Sequence, residues 1–264
     1  MAVNPQLATV GGHALPPDVL QSIRSASATT GVDFKFLLAQ ASLESGFQSD
    51  VRSKRSSAAG LFQFTSQTWL NMMRDHGQKY GQGALASAIT TQPNGKLGVD
   101  DKAVEKQILD LRKDADLSAH MAAELTKSNA AQLEKALGRK PSAADLHLSL
   151  LLGATGAVRF LKAHQSDAAT SAAELVPAAA RQNPTIFYDS GHTPKTVAAV
   201  YQRIEESLVA PMRQVAALER AAGAQSAPAQ TAETPPLTPE PTIPLKPGVG
   251  LIASLSTTPP ARKG

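Results

Sequence analysis

The chain contains no cysteine, which excludes disulfides, thiolate metal sites and thiol nucleophiles, and leaves the redox compartment unreported. Aromatic residues make up only 4% of the sequence, with a single tryptophan, while alanine is abundant; this composition favours helices over sheet and predicts an all-α protein. Charge is not concentrated either. The net charge of +4 comes from scattered lysines and arginines rather than one basic run, so no nucleic-acid partner is expected and an anionic polymer suits the balance better. No apolar run approaches the length of a bilayer, so no membrane span is expected. The N-terminal stretch MAVNPQLATVGGHALPPDVL has no charged segment followed by an apolar one, so no signal peptide is read there.

At 264 residues the chain has room for one sizeable helical core plus extensions. Residues 1–15, with Asn4-Pro5 and Gly11-Gly12, read as a flexible arm. Residues 16–222 carry helical periodicity and form the expected globular domain. Half of the 18 prolines fall in residues 223–264, where aromatic residues are absent, so that stretch reads as a disordered, partly polyproline tail.

Within the domain, Pro16-Pro17-Asp18 opens a first helix that ends by Gly31. Asp33 caps a second, in which Phe34, Leu37, Leu38 and Ala41 form an apolar stripe. Glu44 lies three residues beyond Ala41, on or beside that stripe, and Gly46 stops the helix. Residues 48–59 read as a polar loop. Gly60-Leu61-Phe62-Gln63-Phe64 is too apolar for a solvent loop, and Thr65 or Ser66 caps the helix carrying Trp69, Leu70 and Met73. Further helices are expected around Val104–Met121, Ala131–Leu137, Ala168–Ala180 and Thr196–Ala222. The stretch LHLSLLLGATGAVRFLKA, the most apolar, is expected at the centre, with Gly153 and Gly156 marking a kink or a close approach.

Glu44 is the residue on which function turns. A carboxyl at the end of an apolar helix face has its pKa raised by desolvation, which keeps it protonated near neutral pH and able to donate to a leaving oxygen. The loop that follows supplies hydroxyls, an amide and aromatics suited to a sugar.

Glu44-Ser45-Gly46-Phe47, followed by Ser57-Ala58-Ala59-Gly60-Leu61-Phe62-Gln63-Phe64, resembles the two leading motifs of lytic transglycosylases with a soluble-type (SLT) catalytic domain, relatives of goose-type lysozyme. The opening Gly31-Val32-Asp33 is similar to theirs as well. The resemblance implies a mostly helical, lysozyme-like fold. It also implies cleavage of the bond between N-acetylmuramic acid and N-acetylglucosamine in peptidoglycan, in the cell envelope or periplasm. In that family one glutamate acts as acid and then as base, leaves a 1,6-anhydro sugar, and needs no cofactor or metal. Carried over, Glu44 is the catalytic acid and base and Ser45 supports it. Gln63 hydrogen-bonds the substrate and Gly60 lets the glycan approach the backbone. The residues themselves add Ser57, Phe64 and Tyr188 to the expected substrate-binding set. The proline-rich tail would serve as a spacer or for docking to a secretion, flagellar or phage assembly; the export route is open.

The third family motif, Ala-Tyr-Asn-Ala-Gly, is altered. Leu151-Leu152-Gly153-Ala154-Thr155-Gly156 keeps the glycines but has leucines where tyrosine and asparagine belong, which leaves Tyr188 or Tyr201 as replacements. Two other readings stand beside the first: a glycan-binding or assembly protein of the same fold with weak or no activity, and a hydrolytic muramidase using Asp50 or Asp75 as a second carboxylate. His120 and Glu124 share a helix face and read as a surface pair.

Overall fold

Helix starts and stops follow the local signals closely. The computed structural model describes residues 8–54 and 56–226. A hairpin of β1 (Thr9–Val10) and β2 (His13–Ala14) precedes α1 (Pro17–Thr30) and α2 (Phe34–Ser45). Then come α3 (Ser66–His76), a 3-10 turn at Gly77–Tyr80, α4 (Gly83–Ser87) and a second hairpin of β3 (Thr90–Thr91) and β4 (Leu97–Gly98). The chain continues through α5 (Lys102–Asp110), α6 (Ala115–Leu137), α7 (Ala143–Ser166), α8 (Ala172–Leu175), α9 (Pro177–Gln182), α10 (Pro184–Phe187) and α11 (Val197–Ser226). Both hairpins are antiparallel, Val10 pairing with His13 and Thr91 with Leu97. The fold is all-α apart from these two-residue strands. The proline-rich stretch expected as a tail lies outside the described residues from 227 onward.

The caps explain the boundaries. Asp33 accepts a hydrogen bond from the Phe36 N–H, Thr65 from Thr68 and Asp114 from Leu117, each satisfying a donor that the first helical turn leaves free. Ser142 and Asp145 form a reciprocal capping box at the start of α7.

The innermost helix is α2. Its residues Phe36, Leu37, Leu38, Ala39, Gln40, Ala41 and Ser42 are all buried, which places every face of the helix against protein. Neighbours α1, α6 and α11 surround it. The central position expected for the apolar stretch of α7 therefore belongs to α2. Leu150, Leu151 and Leu152 of α7 are only half-buried. By length and composition α7 does suffice to cross a membrane, and it is the one described helix that does; here it packs between α6 and α11. Gly153 interrupts it with φ 70° and ψ 160°, the kink that the glycine announced.

Three expectations are corrected. Residues 8–15 of the supposed loose arm are ordered into the β1–β2 hairpin, which buries Val10 and Leu15 completely or nearly so. The segment Ala131–Leu137 is not a separate helix but the last two turns of α6. The helix expected over Ala168–Ala180 breaks into α8, α9 and α10. Val176 and Asn183, each preceding a proline, adopt φ near −130°, as the proline ring disfavours helical geometry in the residue before it.

Candidate active site

Helix α2 is buried through its middle and meets water at its two ends. After the seven buried residues, Leu43 and Glu44 are exposed and Ser45 is half-buried. Gly46 (φ 59°) and Phe47 (φ 69°) then turn the chain away, their N–H groups returning to the carbonyls of Ser42 and Ala41. Glycine tolerates that conformation freely. Phe47 does not, and a bulky residue there stores on the order of 1–3 kcal/mol of strain beside Glu44, held in place by burial of its ring.

Protein surrounds the Glu44 carboxyl closely although its surface reaches solvent, and this desolvation raises its pKa from 4.5 to about 7. The negative end of the α2 dipole acts in the same direction. Among the described residues Glu44 has no hydrogen-bond or ion-pair partner, so nothing opposes the shift.

Ser45 joins the two motifs. Its Oγ lies 2.8 Å from the Leu61 carbonyl and 3.2 Å from that of Ala41, fixing the end of α2 to the Gly60–Phe64 turn. In that turn Gln63 has φ 47°, a second strained residue at the site. Its Nε2 donates to the carbonyls of Gly60 (2.9 Å) and Val51 (3.3 Å), while Oε1 is an acceptor without a partner among the described residues. Ser57 Oγ accepts from the Ser66 N–H at 3.1 Å.

Two assignments change at this turn. Gly60 is buried, and the space that a side chain would take is filled by the Arg112 carbonyl, 1.9 Å from an ideal Cβ. The backbone that approaches Gly60 is that of Arg112, not a glycan. Phe64 is 4% exposed and meets Trp69 edge to face at 5.2 Å between centroids. It is a core residue and has no face for a sugar. Trp69 is wholly buried, its Nε1 donating to Ile108 O at 2.7 Å.

Arg112 was not singled out from the sequence. Its guanidinium is buried, donating through Nη1 to Ser57 O (2.6 Å) and Phe64 O (3.1 Å) and through Nε to Leu109 O (2.8 Å). Desolvation lowers its pKa. The residue holds both ends of the second motif, and its only sequence signal is a charge between Leu111 and Lys113.

A second unforeseen pair lies one turn back on α2. Gln40, 1% exposed, places its amide Nε2 at 2.8 Å and its Oε1 at 3.0 Å from His147 Nδ1 on α7. Burial lowers the His147 pKa from 6.5 to about 4. On the other side of the α2 terminus stands the β1–β2 hairpin. Ser42 Oγ donates to Val10 O at 2.9 Å, and the His13 ring lies so close that a Cβ on Gly46 would be 2.7 Å from its Nδ1.

The tyrosines are placed elsewhere. Tyr201 OH donates to Asp145 Oδ1 at 2.9 Å, its ring stacks on His164, and burial pushes its pKa up to about 12. Burial alone would raise the Asp145 pKa, yet hydrogen bonds from Arg139, the Ser142 N–H and Tyr201 hold it below the usual range. Tyr188 is half-buried, packs against the cluster that holds Leu151 and Leu152, and pairs through its backbone with Pro194. His120 and Glu124 are buried rather than superficial. Glu124 accepts from Lys79 Nζ (2.5 Å) and Tyr80 OH (2.7 Å), and His120 packs on Tyr80. Of the candidate second carboxylates, Asp50 is exposed and Asp75 pairs with Arg74 at 2.8 Å. A polar depression of about 620 Å³ near β4, lined by Gln92, Asn94, Lys96 and Asp100, includes none of the motif residues.

Residues 21–84 match the family model described as Transglycosylase SLT domain. That stretch is similar to the SLT transglycosylase domain. The match runs from the middle of α1 into α4, about a quarter of the chain, and contains Glu44, Ser45, Ser57, Gly60 and Gln63. SLT domains belong to the lysozyme-like superfamily and act on peptidoglycan in the cell envelope. Gln40 falls inside the matched SLT segment; His147, Arg112 and Tyr188 fall outside it.

Proposed function

We propose that this protein is a peptidoglycan lytic transglycosylase in which Glu44 serves first as acid and then as base. The observation that carries the reading is a carboxyl with a pKa of about 7 and no partner among the described residues, at the emergent end of a helix whose middle is buried, inside the SLT match. A group with that pKa is poised to lose and regain a proton near neutral pH, which is where general catalysis is most effective. Protonated Glu44 donates to the oxygen linking N-acetylmuramic acid to N-acetylglucosamine, and the bond from that oxygen to the muramyl C1 breaks. The resulting carboxylate then takes the proton from the muramyl 6-hydroxyl, whose oxygen bonds to C1. Glu44 ends protonated, the product has a 1,6-anhydro end, and water is not consumed.

Ser45 supports the step by fixing α2 to the second motif, and Gln63 Oε1 is the acceptor offered to a sugar hydroxyl or amide. A hydrolase of the inverting or retaining kind needs a second carboxylate within about 5–10 Å. Asp50 and Asp75, exposed and in polar surroundings, lack the burial that would tune them for that role. The leucines at 151 and 152 favour a second reading, a glycan-binding protein of this fold with little turnover.

Incubating the full chain with peptidoglycan and identifying the products by mass spectrometry distinguishes these readings. Anhydro-muropeptides that disappear with Glu44→Gln support the transglycosylase. Reducing muramic ends indicate hydrolysis, and retention on the polymer without products indicates the binding protein.

A further inference from the structure

The tyrosine that the family places near its glutamate is absent at Leu151–Leu152, and the two alternative tyrosines have other surroundings. Tyr201 is engaged with Asp145, and Tyr188 lies in the α7–α11 core. The last turns of α2 carry one other polar side chain on the face of Glu44. Residues four apart on a helix lie one above the other, so Gln40 sits about one turn, about 6 Å along the axis, before Glu44. Gln40 is buried and reaches His147, which itself stands one turn before Leu151 on α7. The His147 ring is half-buried, and its Nε2 has no partner among the described residues.

We infer that His147, anchored through Nδ1 by Gln40, is the substrate-positioning residue of the cleft beside Glu44 and presents Nε2 as an uncharged hydrogen-bonding group to the N-acetylated sugar. The inference rests on the transglycosylase reading for its substrate class. The geometry fits the task in two ways. Both ends of the Gln40 amide lie within hydrogen-bonding distance of one ring nitrogen, and Nδ1 can engage only one of them at a time. When Gln40 donates to Nδ1, the proton resides on Nε2, which is a donor; when Nδ1–H donates to Oε1, Nε2 is an acceptor. The ring therefore offers either polarity to a sugar hydroxyl or acetamido group without changing charge. Charge is the second point. A cation at this place would stabilise the Glu44 carboxylate and deplete the acid, whereas an imidazole whose pKa is held at about 4 stays neutral.

The test uses the full chain with Glu44→Gln, labelled with nitrogen-15 at histidine and titrated with N-acetylglucosamine oligosaccharide. His147 is assigned by its loss in His147→Gln. The expected result is a saturable shift of the His147 Nε2 resonance. In the active enzyme, the double replacement Gln40→Leu with His147→Leu removes both partners and leaves neither orphaned. It is expected to raise KM on peptidoglycan about tenfold with kcat little changed, the signature of lost uniform binding. His147→Gln restores KM, since an amide offers both a donor and an acceptor. An unmoved Nε2 resonance under saturating sugar overturns the inference, as does a folded double variant with wild-type KM. Absence of anhydro products from the unsubstituted protein is a separate failure, of the catalytic reading, and leaves the sugar titration decisive for His147.

Discussion

Replacing Glu44 by glutamine should change stability in a pH-dependent way whose sign follows from the site. In the unfolded chain this carboxyl ionises near 4.5, and in the native protein near 7. Between those values the native state holds the extra proton, so the contribution of Glu44 to stability is greatest at and below pH 4.5. It falls as pH rises to 7, and is constant above that. A carboxyl shifted this far and wholly shut off from solvent would correspond to about 3 kcal/mol. Glu44 is accessible, so water screens much of this and about 1 kcal/mol is the reasonable figure. For a domain of this size that amounts to roughly 2–4 °C in Tm. Glutamine keeps the shape and cannot ionise. Glu44→Gln is therefore expected to melt level with the unsubstituted protein at pH 4.5 and roughly 2–4 °C above it at about pH 8. His147 opposes this slope. Its pKa is about 4 in the native protein and 6.5 when unfolded, so its contribution is present above 6.5 and is lost as pH falls towards 4. Removing Glu44 exposes the His147 slope. Melting curves followed by circular dichroism across this pH range measure both, and a gap between the two proteins that stays constant with pH refutes the electrostatic reading of the site.

Activity of Glu44→Gln on peptidoglycan should fall by about two to four orders of magnitude, the usual worth of a general acid and base. Gly60→Ala forces a Cβ against the Arg112 carbonyl at a residue with φ 83°, and is expected to cost more than about 3 kcal/mol, seen as loss of cooperative melting or of soluble protein. Phe64→Ala should destabilise by about 3–5 kcal/mol in denaturant titration, and the folded fraction should keep its KM, because the ring packs on Trp69 and not on a sugar. Tyr188→Phe should leave kcat/KM unchanged; a marked loss would return this residue to the site.

What the sequence revealed was governed by range. Asp33, Thr65 and Gly46 act on backbone groups within a few residues, and their roles were legible as written. The position of Glu44 at the end of an apolar stripe was legible for the same reason, although the burial of α2 on every side was not, because it depends on α1, α6 and α11 arriving from elsewhere. Gln40 meets His147 and Gly60 meets Arg112 across long stretches of chain, and neither residue type advertises such a partner. Phe64 was misjudged because an aromatic beside a polar loop looks alike in sequence whether it faces a ligand or a core. The β1–β2 hairpin escaped notice because each strand is two residues long, too short for any alternation to show.

Arg112 has a practical bearing on how this site can be moved between proteins. The matched segment ends at residue 84, yet the loop carrying Ser57, Gly60 and Gln63 is pinned by a guanidinium and a carbonyl that belong to residue 112. A graft of residues 21–84 onto another helical scaffold would transfer the sequence motifs without the clasp that shapes them. The smallest transplantable unit must run at least through the turn after α5, and a host that supplies lysine there would offer one ammonium in place of a fork that grips Ser57, Phe64 and Leu109 together.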